Sequence, residues 1–448
     1  MRLPEKPPLI SKEFRYSDLL QELVEKGRFD EFFHLMDSKY YYFDKWKFKA
    51  KEWGMDALEL WSAVKTRRLS TQLLKISDVE RFIFHVSTPS VIQEYLHEFD
   101  LNLGGSLQGD SIIPPEEKDR YLISSLMEEA IASSQLEGAT TTRKVAKEML
   151  EKNRRPENHG EQMILNNYEA MKWIVSNKEL PITIHSIKHL HTILTKSTLS
   201  SSEDEGAFRK DDEVKVVDVQ TGDAVYTPPK AIYLDQLMDD FCTFANDREE
   251  RRFFLHPVNK SIILHFLIGY IHPFVDGNGR TARTIFYWYL IKKGYWLTEY
   301  MSISRIILNS KAQYSRAYLY TEHDENDLTY FLLYNLKCIH LALEELRNHL
   351  RRKSDEKQSA IKMLRNTDLN DRQIVLIQEV LKDSSTYFTV KQVETKFRVA
   401  SQTARNDLNS LVQKGFFEER KIGKKSQFLP ITGFVKKVTG HPLRPGHK

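Results

Sequence analysis

The chain has 448 residues, 41% of them hydrophobic and 29% charged, and a formal net charge of +4. That length exceeds one ordinary core and implies two or three soluble globular domains, and the charge is too slight to make the whole chain a nucleic-acid binder. Cys242 and Cys338 fall in no metal-ligand spacing, and neither a leader-like apolar run nor a membrane-length window is found, so the expected setting is cytoplasmic, with reduced thiols and no membrane partner.

Residues 1–110 read as a mostly helical N-terminal extension. Tyr40-Tyr41-Tyr42-Phe43-Asp44-Lys45-Trp46, with Trp53 and Trp61, supplies large apolar anchors. They are expected to pack against the following domain or against a second copy of the chain in a homodimer; a surface that recruits another protein is the alternative. Gly104-Gly105, Gly109 and Pro114-Pro115 mark a loop and a boundary. Residues 111–352 form the central domain. It opens with a helix from Glu116 to Glu137, whose buried stripe runs through Leu122, Ile123, Leu126, Met127, Ala130 and Ile131. Gly138 is suited to close that helix in a left-handed cap. Glu137 lies four residues after Ser133 and continues the inward row. A carboxylate at a helix C-terminus opposes the macrodipole, and one facing inward needs a cationic partner.

Asn166 to Ser176 and Ile184 to Thr195 read as core helices. After Gly206-Ala207-Phe208-Arg209 the pattern changes to β-branched residues, Val214 to Val219. Thr221-Gly222-Asp223 turns the chain and Ala224 to Thr227 returns it before Pro228-Pro229, a hairpin in a helical neighbourhood. Val258 to Ile271 is a buried helix that must stop at His272, because Pro273 lacks an amide hydrogen and disfavours α geometry before it. His256 and His265 are read as hydrogen-bonded structural histidines.

The twelve residues His272 to Arg283 (His-Pro-Phe-Val-Asp-Gly-Asn-Gly-Arg-Thr-Ala-Arg) form a helix–loop–helix corner. Gly277 and Gly279 let backbone amides approach a ligand, and the second helix aims its free N–H groups at the same place, which suits phosphate. Arg280 and Arg283 share one helix face and add forked cationic donors. Asp276 is the kind of lone carboxylate that holds Mg²⁺ beside phosphates. His272, at the other end of the turn, is able to take a proton from a hydroxyl. Together these describe a nucleotide-transfer site.

Residues 353–370 read as a polar linker after a helix from Leu328 to Arg352, and residues 371–432 as a separate unit. Helical periodicity covers 371–382, Thr389 caps a second helix and Ser401 a third, and Arg420 to Phe428 about Gly423 makes a β-wing. Between Lys391 and Lys425 nine basic residues face four acidic ones. This unit resembles a winged helix-turn-helix whose third helix carries Gln402, Thr403, Arg405 and Asn406 toward base edges or phosphates. DNA contact and protein docking both stay open for it.

The corner resembles, at every fixed position, the signature of the Fic family, H-P-F-x-D/E-G-N-G-R-x-x-R. The resemblance implies a mainly α core with a β-hairpin flap, and transfer of AMP from Mg-ATP to a hydroxyl side chain of a protein or of the chain itself. His272 would be the catalytic base and Asp276 the Mg²⁺ ligand. The nucleotide would be held by Asp276, Gly277, Asn278, Gly279, Arg280 at the β-phosphate, Arg283 at the γ-phosphate, and Tyr314 near the adenine. Ser133-Ser134-Gln135-Leu136-Glu137-Gly138 resembles the family's inhibitory motif in its N-terminal position, which would pair Glu137 with Arg283. Val214 to Tyr226 resembles the flap that docks a protein target. Two other readings stay in play: a hydrolase that strips AMP from a modified protein at the same site, and an ATP-sensing DNA-binding regulator.

Overall fold

The structure, a computed structural model, describes residues 3–10, 14–69, 72–79, 82–104, 113, 118–217, 222, 224–248, 253–365, 368–382, 386–422 and 425–439. It divides into two compact units, residues 1–108 with 121–343, and residues 109–120 with 344–448.

The first unit begins with α1 (Tyr16–Glu25), α2 (Phe29–Ser38), α3 (Phe43–Trp53) and α4 (Ala57–Leu69). A short antiparallel hairpin, β1 (Gln72–Lys75) and β2 (Ile83–Val86), then precedes α5 (Ser90–Asn102). The aromatic anchors pack inward: Phe32, Trp46 and Trp61 are fully buried, in one cluster with Tyr330. Tyr42 stacks on Tyr320 with ring centroids 3.9 Å apart. Lys65 and Arg68 of α4 reach the buried carboxylate of Asp324 at 2.7 and 3.8 Å.

The chain continues with α6 (Lys118–Leu136), α7 (Arg143–Glu151), α8 (His159–Ser176), α9 (Ile184–Thr195), β3 (Val216–Val217), β4 (Ala224–Tyr226), α10 (Leu234–Ala245), α11 (Pro257–Ile271) and α12 (Asn278–Lys292). After them come α13 (Ile303–Asn309), α14 (Lys311–His323) and α15 (Thr329–Arg365). At the centre α11 packs against α12, with α10 against α11 and with α8 and α9 against α12. Both central helices are buried almost all round, as α11's run of Ile262, Ile263, Leu264, Phe266, Leu267 and Ile268 requires. In the flap, Val216 lies opposite Tyr226 and Val217 opposite Ala224, with an irregularity between them; the expected turn at Thr221 and Asp223 lies outside the described residues. Tyr226 donates its hydroxyl hydrogen to the Tyr270 carbonyl at 2.7 Å, which seats the flap on the last turn of α11.

Three expectations need correction. Ile123, expected in the buried stripe of α6, is 46% exposed, and the buried part of that helix begins at Leu126. The helix expected to end at Arg352 runs on to Arg365, so most of the expected linker is helix; Lys, Glu, Gln, Ala, Met and Leu there are strong helix formers with no Gly or Pro among them. Ser401 does not cap its helix: the cap position is Ala400, without a side-chain hydrogen bond.

The second unit holds α16 (Asp371–Lys382), α17 (Val390–Phe397), α18 (Ser401–Gln413), an antiparallel wing of β5 (Phe417–Ile422) and β6 (Lys425–Pro430), and α19 (Phe434–Thr439). Thr389 and Gln392 form a reciprocal capping box at the start of α17. Leu376, Ile377, Val393, Ala404, Leu408, Leu411 and Phe428 make its core. Arg372 grips the buried Asp407 at 2.6 Å, which fixes α18 on α16. The fold is mainly α, a helical core with a hairpin flap followed by a winged helix-turn-helix. Among the described residues, no helix is long and apolar enough to cross a membrane.

Candidate active site

Pro257 starts α11 at a position that needs no amide hydrogen, and His256 caps it by accepting the Val258 N–H at 3.2 Å. The helix ends as Pro273 demands. His272 adopts a left-handed backbone, φ 51° and ψ 57°, while its own N–H still donates to Ile268 at 2.9 Å. Its ring lies with Nδ1 at 3.2 Å from the Gly269 carbonyl. A carbonyl only accepts, so the proton sits on Nδ1 and Nε2 keeps its lone pair. Burial pulls this imidazole below its ordinary pKa; the Gly269 bond, Glu137 and Asp276 oppose the fall and Arg209 adds to it. Burial thus favours the uncharged form of the His272 imidazole.

The loop beyond it is locked from inside. Asn278 accepts the Phe274 N–H at 3.0 Å and donates to the Phe274 carbonyl at 2.8 Å. Gly277 takes φ 82° at the N-cap of α12, and its N–H donates to Asp276 Oδ1 at 2.6 Å. The Asp276 side chain stays 61% exposed, its other oxygen 3.8 Å from Arg280. A single accessible carboxylate beside an amide-lined helix start suits Mg²⁺, held mainly by the oxygens of a phosphate ligand. Among the described residues no group of three His, Cys, Asp or Glu side chains could hold a metal by itself.

Arg280 is buried, and its Nη1 donates to the Leu194 carbonyl at 2.7 Å. Its fork is thus partly committed to the protein, and its charge acts on Asp276 and Glu137. Arg283, equally buried, donates from Nε to Ser133 Oγ at 2.8 Å and from Nη2 to the Ser133 carbonyl at 2.9 Å. The same Nη2 reaches Glu137 Oε1 at 2.8 Å. A Cβ on Gly279 would lie 2.1 Å from that Oε1. The carboxylate of Glu137 therefore lies against Gly279 on the first turn of α12.

The Glu137 side chain is 32% accessible to water. Burial raises its pKa, but Arg283, then Arg280 and Lys311, outweigh this and leave it below the usual carboxylate value. Gly138 closes the helix end at φ 97°, and Lys311 donates to the Leu136 carbonyl at 2.8 Å, capping the last turn of α6. Further back Glu129 takes hydrogen bonds from Tyr287 at 2.8 Å, Ser302 at 3.1 Å and the Ser304 amide at 3.0 Å. These tie α6 to α12 and α13. Tyr314 bonds His265 at 2.7 Å, and burial raises its hydroxyl pKa against the neighbouring charge of Arg283.

Three further residues shape the corner without having been singled out in the sequence. His191 accepts the Gly206 N–H on Nδ1 at 2.9 Å, so Nε2 carries the proton and donates to the Asp276 carbonyl at 2.8 Å. Its ring stacks on Phe274 at 3.7 Å, and burial pushes its pKa down to about 4. A histidine among Ile187, Leu190 and Leu194 on one helix face was the signal available. Arg209 and Lys311 carried none, since neither stands in a recognisable motif.

Fold and site define a helical protein whose helix–loop–helix corner carries two buried arginines, with a buried histidine beside it and a carboxylate laid across it from a neighbouring helix. Residues 181–290 match the Fic/DOC family, and residues 372–423 the DeoR-like helix-turn-helix domain. The chain thus carries a Fic/DOC domain followed by a DeoR-like helix-turn-helix domain. It is similar to the protein adenylyltransferase Fic of Drosophila grimshawi, with 34% identity over 130 residues, 28% of this chain and 24% of that one. To the protein of the same name from Drosophila sechellia it is 29% identical over 180 residues, 39% of this chain and 32% of the relative. The matched region thus spans a quarter to a third of these curated relatives. A solved Fic family protein from Desulfovibrio desulfuricans G20 aligns with 18% identity and a TM-score of 0.49, covering 78% of this chain and 98% of its own.

Proposed function

We propose that the chain transfers AMP from ATP to a hydroxyl group on a protein, or on itself, and that Glu137 restrains it. The observation that carries this reading is the Glu137 carboxylate on the first turn of α12, bonded to Arg283 at 2.8 Å. An anion already rests where the triphosphate tail would lie. With Glu137 withdrawn, the amides of Gly277 to Gly279 and the charges of Arg280 and Arg283 would receive the phosphates. Asp276 would hold Mg²⁺, which supplies charge neutralisation at the phosphates when bound. Tyr314 would lie toward the adenine. The hydroxyl oxygen attacks the α-phosphorus while its proton passes to His272 Nε2, and the bond to the β-phosphate oxygen breaks to release pyrophosphate. The corner contributes position and charge rather than a covalent intermediate.

Radiolabelled ATP tests this. Glu137→Gly should label itself or a lysate protein faster than wild type, and His272→Ala should abolish the signal. Release of AMP from an AMP-bearing protein, without forward labelling by either form, would favour the hydrolase instead.

For the second unit we propose DNA contact through α18, supported by its exposed Gln402, Arg405 and Asn406 and the basic wing. Arg405→Ala should weaken binding to an operator fragment selected from random duplexes, and no selection of any sequence would speak against it.

A further inference from the structure

The flap and the signature are joined by one buried guanidinium. Arg209 lies just ahead of β3, with its side chain 1% exposed. Its backbone N–H donates to the Pro273 carbonyl at 2.9 Å and its Nε to the His272 carbonyl at 3.0 Å. Nη1 donates to the Asp211 carbonyl, before the hairpin, at 2.6 Å, and Nη2 donates to the Pro229 carbonyl, after it. Asp212 completes the tie: its Oδ1 stands 3.4 Å from Nη1 and accepts the Ala231 N–H at 2.6 Å. Both ends of the flap and the His272 carbonyl thus meet at one side chain, and the Pro273 carbonyl at the same residue's backbone N–H.

Burying a guanidinium whose one carboxylate partner is exposed and 3.4 Å away is unfavourable unless the fork is filled, and here backbone carbonyls fill it. The carbonyl that Nε holds belongs to a residue in the left-handed region, which non-glycine residues disfavour. His272 is kept in that backbone state from both sides, its N–H by Ile268 and its carbonyl by Arg209.

We propose that Arg209 is a positioning residue that makes the orientation of His272 depend on the placement of the flap. A protein segment that adds to the hairpin moves its two ends; through Arg209 the same displacement reaches the His272–Pro273 peptide and the ring it carries. The inference rests on reading His272 as the base, so its test has one arm that needs no activity.

Hydrogen exchange on the full chain, read by mass spectrometry, compares Arg209→Met, Arg209→Lys and Asp212→Ala with wild type. In Arg209→Met, exchange should quicken at least tenfold both in residues 224–231 and in Phe274 to Asn278, while α8 keeps its protection. Arg209→Lys should recover only part, because one ammonium cannot span three carbonyls. Asp212→Ala, at an exposed side chain, should quicken the flap end and, about threefold, Phe274 to Asn278. Unchanged exchange at Phe274 to Asn278 in Arg209→Met overturns the proposal. If that variant loses protection throughout, Asp212→Ala decides by the same segment. In the second arm, Arg209→Lys in the Glu137→Gly background should lower the maximal rate of self-labelling about tenfold with the apparent KM for ATP unchanged. A changed KM with an unchanged maximal rate contradicts the role. A Glu137→Gly parent that labels nothing sinks the transferase reading alone, and the exchange arm still judges Arg209.

Discussion

Changing Glu137 in two steps separates its charge from its bulk. Glutamine keeps the size and one hydrogen bond to the Arg283 cation but removes the opposing charge; glycine removes the contact. Arg283 keeps Ser133 in both cases, at 2.8 and 2.9 Å, so the arginine is not left stranded. Hydrogen bonds to charged groups contribute about 1.5–3 kcal/mol, with the pair of opposite charges toward the upper end and the glutamine–arginine bond toward the lower. Glu137→Gly should therefore raise the initial rate of self-labelling at sub-saturating ATP by roughly 10- to 150-fold, and Glu137→Gln by about 5- to 10-fold. The sign with pH follows from a carboxyl held below its ordinary value by Arg283 against the effect of burial. Its contribution is fully present above the unfolded pKa, about 4.3, and is lost only as pH falls through the lower folded value. The ratio of Glu137→Gly to wild type should thus be constant between pH 6 and pH 8. Equal rates in wild type and Glu137→Gly, or a ratio that collapses near pH 6, would refute the reasoning.

Other outcomes follow from the same geometry. His191 and His265 are buried with pKa values of about 4 and about 3, so both stay neutral in the fold at pH 5 while the unfolded chain takes up protons below about 6.5. Their stabilisation is present above that pH and lost below it, at about 1.4 kcal/mol per pH unit each; the urea midpoint should fall between pH 7 and pH 5, and an unchanged midpoint contradicts the burial. Gly277→Ala places a Cβ 2.8 Å from Thr195 Cγ2 at φ 82°. It should lower the melting temperature by a few degrees, reflecting about 1–2 kcal/mol of left-handed strain, and wild-type melting would tell against the close approach. Lys311→Met removes the cation that caps Leu136 and faces Glu137. A cation at a helix C-terminus contributes about 0.3–1 kcal/mol, so self-labelling should rise roughly two- to fivefold, and a fall would show that Lys311 serves the reaction instead.

Much of the fold was legible because its signals are local. Pro273 ended α11, Gly138 closed α6, and Thr389 with Gln392 started α17, each through backbone chemistry that a few residues dictate. The β1–β2 hairpin escaped because Gln72–Lys75 and Ile83–Val86 are four residues each and carry no alternation long enough to read. The stretch after Arg352 is polar yet helical, because polarity does not mark irregular chain where the residues are strong helix formers. In the site, the signature residues announced themselves by spacing. His191 and Arg209 did not, because what they do is bind backbone atoms of segments 85 and 63 residues away. Such partnerships depend on tertiary placement and leave no pattern in the chain.

The most direct measurement is a crystal structure of Glu137→Gly with ATP and magnesium bound. The account predicts phosphate oxygens on the amides of Gly277 to Gly279, with the γ-phosphate at Arg283 and the α-phosphorus facing His272 Nε2. A nucleotide bound elsewhere, or an imidazole turned from the α-phosphorus, would contradict it.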